Sequence, residues 1–218
     1  MTPRPPRPSA RESLLATALE LFSRKGIGAV GIDELTKTAG RTRDSLYRVF
    51  GSKTGLIVAT LKAYGDNLPW LEFLRRANAD RRRPDDPAAL AEWARKKLLA
   101  TMDRVADWSV QDDSRGCYLL AAAAELRGNS GRHTMTDIDR VAALNVIRDF
   151  HQEARRLLAG LAKAAGADDA AALAADLHLE IVGILGLATI DPLPSRAAAR
   201  RAARGAAEAR LVFHGIPK

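Results

Sequence analysis

The stretch that decides the fold is residues 9–56, SARESLLATALELFSRKGIGAVGIDELTKTAGRTRDSLYRVFGSKTGL. Ser9 and Glu12 have the spacing of a capping box, in which two side chains satisfy the first N–H groups of a helix. The apolar residues that follow recur on one helical face, and Gly26 supplies a permissive backbone where that pattern stops. A first helix is therefore predicted over residues 10–25.

Two short helices follow this first one. The pattern predicts a helix over 32–39 and another over 43–50, with Gly40 at the corner between them and Thr42 as the N-cap of the second. A longer fourth helix is predicted over 53–76. Two short helices joined by a tight corner are typical of a helix-turn-helix motif.

The rest of the chain is also predicted to be helical. Aromatic residues make up only 5% of the sequence, and no stretch alternates apolar and polar residues between turn signals as a strand would. Residues 78–87 are rich in arginine and proline and are predicted to form a loop. Further helices are predicted at residues 88–108, 116–127, 136–165, 168–189 and 196–213.

Positive charge is concentrated at the start of the chain. Residues 1–65 contain 11 Lys and Arg against 5 Asp and Glu, whereas the remaining residues contain 23 against 21. A compact basic unit favours binding to a polyanion, because cationic side chains release the counterions condensed on nucleic acid. The alternative is a solvated surface in a chain that uses arginine heavily.

Several protein classes are disfavoured by composition. One cysteine, Cys117, cannot form an internal disulfide, and the 4 histidines lack metal-ligand spacing, so we expect neither a metal nor another cofactor. The most apolar stretch, residues 181–190, is short compared with the roughly 20 residues of a membrane-spanning helix. Residues 1–8 lack the apolar run of a signal peptide. We therefore expect a cytoplasmic protein without a membrane partner.

The same motifs, taken together, resemble a known family. Residues 18–26, 32–35, 39–40 and 45–56 are similar in order and spacing to the DNA-binding domain of the TetR family of bacterial transcriptional regulators. Residues 115–120 resemble a helix start found in many of its members. The resemblance implies an all-helical homodimer that binds a palindromic, double-stranded DNA operator and releases it when a small effector binds.

This resemblance sets the expected organisation and function. We predict a flexible N-terminal arm (1–8), a three-helix helix-turn-helix DNA-binding domain (9–55) and a helical effector-binding and dimerisation domain (56–218). The expected function is a sequence-specific transcriptional regulator, most simply a repressor. Two alternatives remain open: a sequence-tolerant architectural DNA-binding protein, and an enzyme that uses Cys117 as a nucleophile, for which the sequence offers no evident base.

The third helix supplies most of the candidate DNA contacts. Arg43 has the fork that matches guanine O6 and N7, whereas Asp44 either accepts from cytosine N4 or stabilises the helix N-terminus. The family resemblance implies that Tyr47 and Lys53 contact phosphates, the alternative for Tyr47 being a ring packed in the small core. Arg41 and Thr36 depart from the usual family residues. The predicted DNA-binding set is Thr42, Arg43, Asp44, Ser45, Tyr47, Arg48, Val49 and Lys53.

Large apolar and aromatic side chains after residue 56 are candidates for the effector pocket, since such side chains around a few polar groups build ligand sites. They also build cores, and the sequence does not show whether they converge. The effector itself is unknown. The candidates are Tyr64, Trp70, Phe73, Trp93, Met102, Trp108, Tyr118 and Phe150.

A dimer interface is predicted from two apolar helices, 136–165 and 168–189. The second is apolar all round, and a helix of that kind must be covered on every side. A symmetric four-helix contact between two subunits would cover it, and the alternative is a fully internal helix of a monomer. The predicted interface residues are Ile147, Ala154, Leu158, Leu177, Ile181, Ile184, Leu185 and Ala188.

Overall fold

The protein is described here by a computed structural model covering residues 8–111, 117–128, 136–190 and 195–217. Within these ranges it forms ten α-helices and no β-strand, which confirms the all-α prediction. The helices are α1 (Ala10–Lys25), α2 (Ile32–Thr38), α3 (Arg43–Phe50), α4 (Lys53–Asp66), α5 (Pro69–Ala79), α6 (Pro87–Ser109), α7 (Tyr118–Arg127), α8 (Asp137–Ala164), α9 (Ala170–Leu187) and α10 (Arg196–Phe213). Residues 1–7 of the predicted arm (1–8), and residues 115–116 of the predicted helix start, lie outside the described residues.

The chain divides into two compact units, and the first combines residues 1–65 with 118–148. Helices α1, α2 and α3 pack on one another in this unit. Their core holds Phe22, Leu35 and Leu46, each at most 1% exposed, as the apolar spacing predicts. Phe50 is predicted by the same spacing to belong to this core, but at the end of α3 it is only half-buried, and the Arg11 guanidinium lies 5.3 Å from the centre of its ring.

The cap residues fix the helix ends that the sequence predicts best. The Ser9 hydroxyl accepts from the Glu12 N–H, and the Glu12 carboxylate accepts from the Ser9 N–H, so the capping box is complete. The Thr42 hydroxyl accepts from the Ser45 N–H at the start of α3. Helices α1 and α3 consequently begin and end where they are predicted to.

The prediction of one fourth helix over 53–76 is wrong. The first helix of this region, α4, ends at Asp66, and α5 begins at Pro69, which occupies its first turn. Proline lacks the N–H that a continuing helix would need, and its ring clashes with the preceding turn. The apolar periodicity runs across this point without interruption, which is why it conceals the break.

The second unit combines residues 66–117 with 149–218. In it α6 packs against α5, α9 and α10, and α9 packs against α10. The two C-terminal helices, α9 and α10, each bury a row of apolar side chains that recur every four residues. The stripe of α9 is Leu173, Leu177, Ile181 and Leu185, and that of α10 is Ala199, Ala203, Ala207 and Leu211.

Among the described residues, α9 is long and apolar enough to cross a membrane by length and composition alone, with a mean hydropathy of 1.7 over 18 residues. A helix in a soluble core passes the same test, and α9 carries one buried stripe against its neighbours. One such helix is weak evidence for a membrane span. The expected absence of a membrane segment therefore stays a prediction.

Candidate nucleic-acid interface

The corner between α2 and α3 is built from local hydrogen bonds. Gly40 adopts φ +62°, a left-handed conformation that glycine tolerates without strain, and the N–H of Arg41 donates to the Thr36 carbonyl at 2.8 Å. The Arg41 guanidinium donates to the Pro8 carbonyl (2.6 Å) and to the Ser13 hydroxyl (2.9 Å). The departure from the family pattern at Arg41 therefore links the corner to the start of α1.

Helix α3 is anchored by one side chain and exposes most of the others. Leu46 is fully buried, whereas Tyr47 is 47% exposed and Arg48 is also exposed. The alternative in which the Tyr47 ring belongs to the small core is therefore excluded. Amphipathic helices of this kind, held from one side, present the opposite side to a major groove.

The N-terminal turn of α3 holds the remaining candidates. Thr42 and Ser45 share a hydrogen bond between their hydroxyls at 3.0 Å, and Asp44 is exposed. Arg43 is bound by Asp33 of α2, with Nε donating at 2.6 Å and Nη2 at 2.5 Å to the two carboxylate oxygens. Val49 is half-buried. Seven of the eight predicted DNA-contacting residues thus lie on α3 or at its cap.

The eighth predicted residue, Lys53, begins α4. Its ammonium donates to the Ile27 carbonyl at 3.0 Å, and partial burial lowers the pKa of this lysine below its ordinary value. An ammonium has three N–H donors, so one bond to Ile27 leaves capacity for a phosphate oxygen. The phosphate contact itself stays a prediction.

A residue that sequence reasoning missed, Glu125, holds the turn after α1. Its carboxylate accepts from the Ile27 N–H at 2.7 Å and from the Gly28 N–H at 2.5 Å. Gly26 has φ +85°, and a Cβ at that position would lie 3.1 Å from the carboxylate. No local signal in the sequence connects this glutamate with a turn 98 residues earlier.

The other end of α7 is bound to α4 within the same unit. The hydroxyls of Tyr118 and Thr60 lie 3.2 Å apart, and the Tyr118 N–H donates to the Tyr64 hydroxyl at 3.3 Å. The two tyrosine rings meet edge to face, with centres 5.4 Å apart. Burial raises the pKa of the Tyr118 phenol, which therefore stays neutral. Helix α7 is thus attached to α4 at its start and to the turn after α1 near its end.

Comparison with known proteins identifies this arrangement. A family model described as bacterial regulatory proteins of the tetR family matches residues 14–60, which include α2 and α3. A crystal structure of a putative TetR-type transcriptional regulator from Streptomyces avermitilis covers 96% of this chain and 100% of its own, with a TM-score of 0.71 and 25% identity. Residues 14–60 are thus similar to the TetR family, and the chain shares the fold of this TetR-type regulator.

Curated relatives extend the TetR-family likeness over part of the chain. The transcriptional activator FasR of Mycolicibacterium smegmatis is 33% identical over 115 residues, which are 53% of this chain and 47% of FasR. The transcriptional repressor BdcR of Escherichia coli is 39% identical over 72 residues, which are 32% of this chain and 36% of BdcR. The chain therefore spans less than half the length of these two relatives.

The eight candidate effector residues fall in both units. Tyr64 and Tyr118 belong to the first, in the contact described above, and the other six belong to the second. Met102 is fully buried, and Trp108 and Phe150 are half-buried. Whether they line an effector site stays a prediction.

Two features of the second unit concern these aromatic residues. Lys97 lies 5.5 Å from the Phe73 ring centre and 5.3 Å from that of Trp93, and the Arg104 guanidinium lies 3.7 Å from the Phe73 centre. Trp70 is only 5% exposed, and its indole N–H has no acceptor among the described residues. A buried donor without a partner costs about 1–3 kcal/mol.

Most of the predicted dimer residues are packed inside their own subunit. Seven of them are at most 8% exposed, and Ile184 is half-buried. Side chains that already fill the core of one subunit offer no surface to a second one. The seven are Ile147, Ala154, Leu158, Leu177, Ile181, Leu185 and Ala188. Dimerisation itself stays a prediction, and its surface must be sought on the other faces of the helices.

Proposed function

We propose that this protein is a cytoplasmic, sequence-specific transcriptional regulator that binds double-stranded operator DNA as a homodimer. The main support for this proposal is the geometry of α3. Thr42 caps the helix, Leu46 is buried against its neighbours, and Tyr47 and Arg48 are exposed. A helix that is packed on one face and carries exposed hydrogen-bond donors on the other can read base edges in the major groove. The concentration of positive charge in residues 1–65 supports the same function.

We further propose that the regulator is a repressor released by a small effector. The likeness to BdcR supports repression, and the likeness to FasR makes activation the alternative. Trp70 supports an apolar effector that carries a hydrogen-bond acceptor, because its buried indole N–H lacks one. Binding of effector and operator must then oppose each other reciprocally.

The two C-terminal helices support a dimer of specific geometry. On α9, the face opposite the buried stripe carries Leu179, Gly183 and Leu187, all exposed and at four-residue spacing. On α10, the corresponding face carries only small or apolar residues, and Phe213 at its end is 76% exposed. The α10 face consists of Ala198, Ala202, Gly205, Ala206, Ala209, Val212 and Phe213.

An apolar groove runs between these two helices. It has a volume of about 440 Å³ and is lined on one side by Gly183, Ile184 and Leu187, and on the other by Ala202 and Ala206. Small side chains allow close approach of another helix. We propose that α9 and α10 of two subunits form a four-helix interface here, in place of the α8 and α9 pairing predicted from the sequence.

One polar group at the groove supports a second subunit as its occupant. The Glu180 carboxylate accepts from Arg210 Nε at 3.1 Å through Oε1, while Oε2 is buried without a partner among the described residues. Burial raises the pKa of Glu180, as expected of a carboxylate short of donors. A donor from a second subunit would satisfy Oε2, whereas a lipid chain would not.

The proposed function is tested by selection of bound sequences from a pool of random DNA duplexes. A regulator enriches a two-fold symmetric site and binds it at least about 10³-fold more tightly than random duplex. An architectural protein enriches no symmetric site. Enrichment that survives mutation of Tyr47 and Arg48 together would place DNA recognition on a different surface.

A further inference from the structure

The Arg43 side chain, at the start of α3, is held in one orientation by Asp33 of α2. The carboxylate accepts from Nε through Oδ1 and from Nη2 through Oδ2, so one edge of the guanidinium is bound by two parallel hydrogen bonds. The pair connects the first turns of the two helices of the helix-turn-helix motif. Neither Nη1 hydrogen has an acceptor among the described residues.

The remaining edge of this guanidinium matches a base. Arginine has five N–H donors in a planar fork, and the Asp33 carboxylate uses two of them along the Nε edge. The other edge, formed by Nη1 and the second hydrogen of Nη2, still has two parallel donors. Guanine presents two acceptors, O6 and N7, in the major groove with the spacing of that fork. Arg43 can therefore bind Asp33 and a guanine at the same time.

The ion pair between Arg43 and Asp33 adds little to the stability of the fold, but it restricts the conformation of the Arg43 side chain. The side chains of Arg43 and Asp33 are 61% and 74% exposed, and ion pairs at such exposure add little stability. An unattached arginine loses its rotamer freedom when it binds a base, whereas Arg43 has lost much of it already. The negative charge of Asp33 also opposes a nearby phosphate, which weakens any non-specific contact through Arg43.

We propose that Asp33 is a positioning residue for base reading, holding Arg43 so that it reads one guanine in each half-site rather than a phosphate. This inference rests on the proposed function as an operator-binding regulator. Asp33 needs no contact with DNA in this role. Its effect is on the ratio of specific to non-specific binding, a quantity that a residue needed only for folding would leave unchanged.

The test compares Asp33→Asn with a matched control on the same helix. Glu34 is also a carboxylate of α2, but it pairs with Lys25, so Glu34→Gln makes the same change of charge without touching Arg43. Both variants, Arg43→Ala and the wild type are carried through selection from a random duplex pool. We expect Arg43→Ala to lose guanine preference at one position of each half-site. We expect Asp33→Asn to reduce that preference about two- to fivefold and Glu34→Gln to retain it.

A second measurement uses the folded wild-type protein and changes only the DNA. Replacing the guanine in question by 7-deazaguanine removes the N7 acceptor and should weaken wild-type binding more than Asp33→Asn binding. Equal guanine preference in Asp33→Asn and Glu34→Gln would overturn the role of Asp33 while leaving the regulator intact. A wild-type protein that enriches no symmetric site would instead overturn the proposed function.

Discussion

Glu125 accepts a hydrogen bond from the backbone N–H of Gly28 at 2.5 Å, although the two residues are 97 positions apart in the sequence. The same carboxylate binds the N–H of Ile27, and Lys53 binds the carbonyl of Ile27. The turn that connects α1 to α2 therefore has its donors satisfied by α7 and an acceptor satisfied by α4. The position of α2 and α3 depends on side chains outside the helix-turn-helix motif.

Glu125→Gln should lower the free energy of unfolding by about 1.5–3 kcal/mol, because an amide offers one acceptor where two N–H groups need a carboxylate. Urea denaturation measures the change. Glu20→Gln is the control, since Glu20 forms an exposed pair with Arg24 and should cost less than about 0.5 kcal/mol. Equal losses in both variants would mean that the Glu125 contacts add nothing.

Arg48→Ala should reduce the slope of log affinity against log salt by about 0.9 per subunit if Arg48 neutralises a phosphate. Tyr47→Phe, one residue away, should weaken binding of all duplexes alike but leave the slope unchanged, because a hydroxyl carries no charge. Titration of operator DNA at several salt concentrations separates the two. A slope that changes in Tyr47→Phe would contradict this assignment.

Gly183→Arg should break the dimer without unfolding the subunit. Gly183 is exposed, and a Cβ there meets nothing within 4 Å, so the substitution creates no clash at its Cβ within one subunit, but it would bury a charge in the proposed interface. Sedimentation should show a folded monomer with the dimer constant weakened more than about 100-fold. Ala197→Arg, on the arginine-bearing face of α10, should stay dimeric. A dimeric Gly183→Arg variant would place the interface elsewhere.

Stability should fall as pH decreases from about 6.5 towards 4 because of two half-buried histidines. His151 Nδ1 lies 3.0 Å from His178 Nε2. Burial, the neighbouring His151 and Arg155 lower the pKa of His178 from 6.5 to about 4. The unfolded chain therefore binds more protons than the folded one in this range, and protonation favours unfolding.

His178→Gln should remove much of this pH dependence. The difference between pH 7 and pH 5 should shrink by an amount on the order of 1 kcal/mol, since both rings are partly solvated and the interaction is screened. Thermal or urea unfolding at a series of pH values measures it. A wild-type stability that is constant over the range would contradict the origin assigned to the pKa shift.

Trp70→Phe should change the free energy of unfolding of the unliganded protein only slightly, because the removal of a buried donor that has no acceptor offsets the cavity left by the smaller ring. The same change should weaken binding of an acceptor-bearing effector by about tenfold. Titration of effector with and without operator DNA checks both the loss and its reciprocity. An effector that binds both variants equally would lie away from Trp70.

The parts of this structure that are predictable from sequence are those with local causes. The start of α1 follows from Ser9 and Glu12, and the start of α3 from Thr42, since a cap acts on N–H groups three residues away. The contact between Arg43 and Asp33 spans only ten residues, yet it escaped prediction because an exposed pair leaves no periodic signal.

Features with distant causes were not predictable in this way. Apolar periodicity identifies α9 as a buried helix, but it cannot tell which side faces its own core when every side is apolar. Leu177 and Leu185 face inward and Leu187 faces out, a choice made by packing against α6 and α10. The sequence does not reveal the helix break before Pro69, because the apolar residues on both sides of it continue the same helical periodicity.

The contact between Gly26 and Glu125 also limits which substitutions these two positions can accept during evolution. The glycine leaves the space that the carboxylate fills, and its backbone conformation is one that other residues rarely adopt. A larger residue at 26 would need both a different turn and a shorter side chain at 125, two changes that no single mutation supplies. The two positions should therefore be inherited together, and a substitution at Glu125 alone should not rescue a Gly26 variant.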